Sequence, residues 1–340
     1  MIKRNNSSWK NTQTHIKKKK KNKLALLVFA VILVSLLVGN LLRFISSLSQ
    51  PLYSSFEQKP YSWNGRSNFN LVYKEGENIS LIVINPLEKK VLNLNIPPNT
   101  FIEVPGGFGR WEVRSIFDLE RGDSKKEAKL LKDSLSNFFG LPIDGFLQSE
   151  GGISSVDFFL ILNKNPFSAL SLFNKCKTDL TLIELLRLYA LIFQIRSDKF
   201  ESTDLLIAEL LVNSKLADDT KVYFAGEKLD LFVLEKLSDP NIRNEQKTVA
   251  VLNGTDYPGL AQKISRIISN MGGNVVISDN ADFKIKYTQV LGARSETLER
   301  FKQIFTSKYA KMEMQSAAWV DRFASRAQII LVLGEDMASR

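Results

Sequence analysis

"VAVLNGTDYPGLAQKISRIISNMGG", residues 249–273, decides the fold of the C-terminal third of the chain. An aliphatic run breaks at Asn253-Gly254-Thr255, turns through Pro258-Gly259, and gives way to Leu260, Ile264, Ile267, Ile268 and Met271 at helical spacing. Pro258 lies in the first turn, where its missing N–H is not needed, and Gly272 stands at the C-cap. Strand "TVAVLNG", helix 258–271, strand "NVVISD", the less regular "FKIKYTQVLG", helix 295–308 and strand "AQIILVLGED" predict a small α/β domain over 248–337.

The corner itself has several readings. A nucleotide cradle needs more glycines and a lysine, and "NGTDYPG" has neither the spacing nor the lysine. Asn253-Gly254-Thr255 is a glycosylation acceptor by pattern, and the helix start could receive a carboxylate or another small anion. Asn253, Gly254, Thr255 and Gly259 are therefore the candidate binding residues. The competing reading is structural. It has Asn253 and Gly254 adopting left-handed backbone, Thr255 or Asp256 capping the helix, and Gly259 letting helix and strand approach.

Composition removes many enzyme classes. Cys176 is the single cysteine and His15 the single histidine of 340 residues, and His15 lies in a basic tail. A Ser-His-Asp set, a Cys-His pair, a disulfide and a His- or thiolate-caged zinc are thus all excluded from the folded part. The net charge of +10 is local: residues 1–23 hold nine cations and no acid, leaving +1 for the other 317. That argues against a nucleic-acid surface downstream.

"LALLVFAVILVSLLVGNLL", residues 24–42, has no charge until Arg43. As a helix it spans roughly 28 Å, enough for a bilayer core. The run is long for a signal peptide, and only a Ser-Ser pair follows as a cleavage candidate, so an uncleaved anchor is expected. The preceding lysines place residues 1–23 in the cytoplasm as a basic tail and the body outside the cell membrane. Residues 43–67, rich in Ser and Pro, read as a stalk whose aromatics line the membrane interface or pack on the next domain.

Residues 68–237 begin as short strands: "FNLVYK", "ISLIVINP", "VLNLNIPP" and "TFIEVP". A helix follows, with a capping-box spacing at Ser124 and Glu127 and a face of Ala128, Leu131, Leu135 and Phe138, ended by Gly140 and Pro142. "GFLQSEGGISSVDFFLILNK" adds a strand and a short helix. A second long helix starts near Thr181, lined by Leu185, Leu186, Tyr189, Ala190 and Phe193, and a less regular one is expected over 201–212. Residues 238–247, "SDPNIRNEQK", read as a linker. The fold class is α/β: an N-terminal transmembrane helix, an α/β (α+β) sandwich-type domain, and the small C-terminal α/β domain.

Residues 247–337 resemble the LytR C-terminal domain, with a strand ending in Asn-Gly-Thr, a Gly-Leu-Ala helix start, and a last strand closing on Gly334, Glu335 and Asp336. The resemblance implies an accessory or binding module on an extracytoplasmic, membrane-anchored protein. "ISLIVINPLEKKVLNLNIPPNTFIEVPG" and "LLKDSLSNFFGLPIDGFLQ" resemble stretches of the LytR-CpsA-Psr family. Active members of that family move a lipid-pyrophosphate-linked polymer onto peptidoglycan, with arginines, acids and magnesium holding the pyrophosphate. The family's Arg-Asp is here Pro98-Asn99, the Asp-x-Arg of its first strand end is absent from "LVYKEGENIS", and its later arginine-rich stretch retains only Arg196. Pro removes a bidentate phosphate donor and Asn removes a metal ligand's charge.

The expectation is therefore a single-pass envelope protein without catalytic residues, resident metal or cofactor. It would bind or scaffold peptidoglycan, wall glycopolymer or envelope proteins, with no nucleic acid. The rival is a divergent phosphotransferase with Arg110, Arg114 and Asp118 as substitute pyrophosphate and magnesium ligands, Arg121 lying nearby.

Overall fold

The structure is a computed structural model that describes residues 61–120, 122–164, 172, 175–216, 218–306 and 326–338. The expected basic tail, the expected membrane span at 24–42 and the stalk as far as residue 60 lie outside the described residues, as does Arg121. Among the described residues no helix is long and apolar enough to cross a membrane. The described residues all fall in one compact unit.

In chain order the first part contains β1 (Phe69–Glu75), β2 (Asn78–Asn85), β3 (Lys90–Ile96), β4 (Phe101–Val104), β5 (Gly109–Glu112), α1 (Val113–Ile116), α2 (Ser124–Phe139), β6 (Gly145–Ser149), α3 (Ser155–Lys164), β7 (Cys176–Thr178), α4 (Leu182–Gln194), β8 (Phe200–Asp204), β9 (Leu211–Lys215), β10 (Lys221–Ala225) and α5 (Leu229–Lys236). The second part contains α6 (Pro240–Glu245), β11 (Thr248–Asn253), α7 (Leu260–Asn270), β12 (Asn274–Asn280), β13 (Gln289–Gly292), α8 (Glu296–Phe305), β14 (Ile329–Leu333) and α9 (Glu335–Ala338). A mixed sheet of order β7-β6-β1-β2-β3-β8 forms the first layer, and a sheet of order β12-β11-β14-β13 lies in the second part. In the latter, β11 runs parallel to both β12 and β14.

The period of two along a strand sorts the apolar residues into two cores. Val72, Leu81 and Leu94 face α2, while Leu71, Tyr73 and Ile82 face Phe158 and Leu162 of α3 and Leu185, Leu188 and Ile192 of α4. The α2-side core does not stop at the end of the first part. Leu131 and Phe139 of α2, Val233 of α5, Ile242 of α6, Ile268 of α7, Phe301 of α8 and Val251 of β11 belong to one buried cluster.

The helix expected to start near Thr181 does so with a capping box: the Thr181 hydroxyl accepts from Glu184 N at 3.2 Å while the Glu184 carboxylate accepts from Thr181 N at 2.9 Å. The expected face of α2 is buried as read. Four expectations need correction. The start of α2 is held one residue early, with Asp123 Oδ1 accepting from Lys126 N at 3.4 Å. Residues 201–212 are not helical. Asp204 Oδ1 accepts from Leu206 N at 2.7 Å and closes a turn between β8 and β9, so local side-chain bonding defeats the leucine pattern.

The segment expected as a linker holds α6, because "SDPN" is a helix start. Asp239 accepts from Asn241 N at 2.9 Å, Pro240 opens the first turn, and Ile242 is buried. On α4 the buried stripe is Leu185, Leu188 and Ile192, while Leu186 and Phe193 face solvent; a helix apolar all round does not declare its inner side. Of the stalk aromatics, Trp63 is fully buried, its ring tilted against that of Phe69 at 4.8 Å, so this one packs on the body.

A fully buried ion pair crosses between the two parts. Arg300 of α8 gives its Nη2 to both oxygens of Asp144, at 2.8 and 3.0 Å, and both side chains are buried. Asp144 also accepts from the Tyr61 hydroxyl at 2.6 Å and from Asn70 N at 2.9 Å. Arg300 Nη2 reaches the Asn68 carbonyl at 3.2 Å, and its Nε and Nη1 have no hydrogen-bond acceptor. Burial, then the Asp144 charge, push the Tyr61 hydroxyl pKa well above its ordinary value, which keeps it a donor. Removing Arg300 alone strands a buried carboxylate, which costs about 3–5 kcal/mol. Arg300→Met is therefore expected to lower the urea midpoint strongly, and Arg300→Met with Asp144→Asn to recover part of the loss.

Candidate functional site

The corner after β11 is closed upon itself. Asn253 is buried, its Oδ1 accepting from Thr255 N at 3.1 Å and Thr255 Oγ1 at 2.7 Å, its Nδ2 donating to Tyr257 O at 2.8 Å. Thr255 Oγ1 in turn accepts from Tyr257 N at 3.2 Å. Gly254 donates to Leu333 O at 2.9 Å, and a Cβ placed on it would lie 2.9 Å from that oxygen and 3.1 Å from Ile285 Cγ1.

The corner thus departs from expectation in three ways. Asn253 and Gly254 are not left-handed. The N-cap of α7 is Gly259, with φ +78° and no side-chain cap, rather than Thr255 or Asp256; Asp256 instead pairs with Lys284 at 2.6 Å. Close approach is required at Gly254, whereas a Cβ on Gly259 would meet nothing within 4 Å.

Sequence reading missed the partner that α7 finds at its other end. The last carbonyls of α2 have no acceptor role left inside their own helix. Arg266 of α7 donates to Asn137 O at 2.6 Å and Phe138 O at 3.0 Å, and Asn270 to Phe139 O at 3.0 Å. The same Arg266 holds Asp230 of α5 through Nε and Nη2, at 2.9 and 2.6 Å. Gly140, left-handed at φ +59°, lets this happen, since a Cβ there would stand 2.5 Å from Asn270 Nδ2. Only the single arginine and the single asparagine of an amphipathic helix mark this seam in the sequence. Burial pushes the Asp230 carboxyl up, and hydrogen bonds from Arg266 and Asn270 more than offset it, leaving it below the ordinary range. Its contribution is complete above the unfolded carboxyl's pKa and fades as pH falls through the lower folded value.

The rival's residues gather only in part. A groove of about 540 Å³ is lined by Lys74, Gly76, Glu77, Arg114, Ser115, Asp118 and Leu119. Arg114 and Asp118 are in it; Arg110 is not, lying exposed on β5 at 3.5 Å from Glu103. Arg114 is engaged by Glu112 at 2.6 Å and Glu77 at 3.5 Å. Lys74, which sequence reading passed over, stands 5.0 Å over the Phe117 ring; burial lowers its pKa, with Asp118, Glu127 and Glu77 opposing.

Pro98 and Asn99 do not line this groove, and Pro98 meets it only through its carbonyl, which accepts from Arg114 N at 3.3 Å. Asn99 turns its amide away to Lys221 O at 2.6 Å. Arg196 pairs with Asp198 at 3.1 Å. For a magnesium ion the donor set fits poorly. Among the described residues no three His, Cys, Asp or Glu side chains converge, and Glu77 and Asp118 share the groove with two cations.

Residues 246–336 match the sequence profile of the LytR cell envelope-related transcriptional attenuator family. This part of the chain is a LytR C-terminal domain. Corner, α7 and β14 all fall inside the matched stretch. No curated protein matches the chain.

Among solved structures, Bacillus subtilis TagT is similar at 14% identity, with 54% of this chain and 93% of that one covered and a TM-score of 0.36. A LytR-CPS2A-psr family protein, YwtF (TagT) with bound octaprenyl pyrophosphate lipid, gives 14%, 53%, 91% and 0.34. The transcriptional regulator EF0465 of Enterococcus faecalis gives 9%, 61%, 88% and 0.39. These are distant likenesses from which no function is taken.

Within the LytR C-terminal domain the corner's hydrogen bonds are intramolecular. Asn253→Ala is expected to lower stability by about 1–3 kcal/mol through the donors it strands. Gly254→Ala is expected to cost a similar 1–3 kcal/mol by overpacking. Thermal unfolding measures both; an unchanged melting temperature in both variants would contradict a structural corner. In acid titration, Asp230→Asn is expected to flatten the low-pH loss of stability.

Proposed function

We propose that the chain is a single-pass, membrane-anchored cell-envelope protein that binds or scaffolds wall glycopolymer, peptidoglycan or envelope proteins and does not transfer glycopolymer itself. The LytR C-terminal domain supports the envelope setting. The charge-free run at 24–42 behind a lysine cluster supports the anchor and a body outside the cytoplasm. The asparagine corner, with Asn253, Gly254, Thr255 and Gly259, supports the domain's geometry, and ligand contact would fall on the exposed residues around it such as Tyr257.

The observation that carries the non-catalytic reading is the state of the groove beside Pro98-Asn99. A diphosphate needs convergent, unpaid cation charge. Here Arg114 is already held by two glutamates, and Pro98 and Asn99 supply neither a guanidinium nor a carboxylate. The residues that resemblance would put in charge of phosphate and metal are thereby spent or missing.

Titration of the full chain in detergent with magnesium pyrophosphate tests this reading. No magnesium-dependent binding is expected from the natural sequence. Pro98→Arg with Asn99→Asp is expected to gain it by about ten- to a hundredfold, the worth of one charge-assisted hydrogen bond. Magnesium-dependent binding by the natural sequence, lost in Arg114→Gln, would instead favour the phosphotransferase with Arg110, Arg114 and Asp118.

A further inference from the structure

Helix α4 has an outer face that the fold leaves bare. Leu182, Leu186, Ala190 and Phe193 fall within a sector of about 80° at 100° per residue. Leu186 and Phe193 are 58% and 56% exposed, and Leu182 and Ala190 are exposed too. Arg187 and Gln194 flank the sector. The helix has one acid, Glu184, and its carboxylate is buried inside, accepting from Trp63 N at 2.8 Å and from Thr181. The outward surface of α4 is thus apolar with a cation at its side and no negative charge. An apolar face without acids and with an arginine beside it is one that a bilayer interface can accept.

The chain itself leads to this helix. Trp63 is buried, its N–H donates to Glu184, and its carbonyl accepts from Arg187, so the segment arriving from residues 43–60 is fastened to α4. Eighteen residues, 43–60, lie between the apolar run and Tyr61, a reach of about 60 Å when extended. A tether of that length keeps a surface at an effective concentration near millimolar. Four small contacts, too weak to recruit a free protein, are then enough to seat a tethered one.

We propose that the outer face of α4 rests on the membrane. Leu182, Leu186 and Phe193 enter the boundary between headgroups and acyl chains, and the free N–H groups of Arg187 meet lipid phosphates. The inference rests on the reading of residues 24–42 as an anchor. It goes further by assigning which side of the body faces the lipid, and hence that the groove beside Pro98 and the LytR C-terminal domain are held in a fixed sense relative to the bilayer.

The test uses the full chain in vesicles of phosphatidylethanolamine and phosphatidylglycerol, with the polarity-sensitive dye NBD attached through a single introduced thiol. Cys176 is buried and its thiol is pushed up to about 11, so labelling goes to the introduced site. Leu33→Cys reports the anchor, Leu186→Cys the proposed face, and Ile207→Cys, 82% exposed in the β8–β9 turn, the water-facing control.

Position 186 is expected to emit blue of position 207 and to be quenched by nitroxides at the headgroup but not at the chain end. Phe193→Asp is expected to abolish that shift. If position 33 is buried while 186 emits like 207, the face does not touch lipid and the inference falls with the anchor intact. If 33 is not buried, the anchor reading fails and takes the inference with it. A disulfide joining position 186 of two copies would show that a second chain covers the face and would overturn the proposal.

Discussion

The body is held as one piece by a carboxylate and a guanidinium that cannot leave each other. Asp144 sits at the start of β6 in the first part and Arg300 on α8 in the second, and both are cut off from water. Neither charge is tolerable there alone. The peptide N–H of Asn70 and the hydroxyl of Tyr61 fill the carboxylate's remaining lone pairs, so the pair also fixes the edge of β1 and the residues that lead into it. Two of the guanidinium's nitrogens remain without an acceptor, a cost that a purely stabilising design would avoid. Such a pair contributes less to net stability than to specifying one arrangement of the two parts.

Around it the same logic repeats with weaker groups. Arg266 and Asn270 satisfy the last carbonyls of α2. Glu245 of α6 accepts from Glu296 N and Thr297 N at 3.0 Å each and so caps α8 from outside. Asp239 starts α6 and also takes Asn68 N at 2.9 Å. The end of α2 is thus completed by side chains of the second part, while α6 and α8 are capped from within that part. The apolar core can therefore run through the seam without burying bare backbone.

Much of this was legible in the sequence, and what was not has a common cause. Periods of 2 and 3.6 gave β1, β2, β3, α2 and α7, because burial on one face writes the pattern directly. The corner at Asn253 was placed correctly as a turn, but its detail was misread: the glycine's role follows from Leu333, which is distant in sequence. Helix α6 was hidden because six residues with a proline look like a linker until Asp239 is seen as a cap. At the groove, the pairing of Arg114 with Glu77, 37 residues away, depends on where the β1–β2 hairpin ends. Long-range partners decide these cases, and periodicity carries no information about them. The exposed side of α4 belongs here too: both sides of that helix are apolar, and only the packed structure shows which one is spare.

Native-state hydrogen exchange tests the account's central claim, that residues on both sides of the Asp144–Arg300 pair unfold together. The amides of Leu81 and Ile82 in β2 and those of Val251 and Leu331 in β11 and β14 are the reporters. The account predicts that all four exchange through one opening of the same free energy, with the same dependence on denaturant. Exchange of β11 and β14 at a lower free energy while β2 stays protected would show that the C-terminal part opens on its own, and would contradict it.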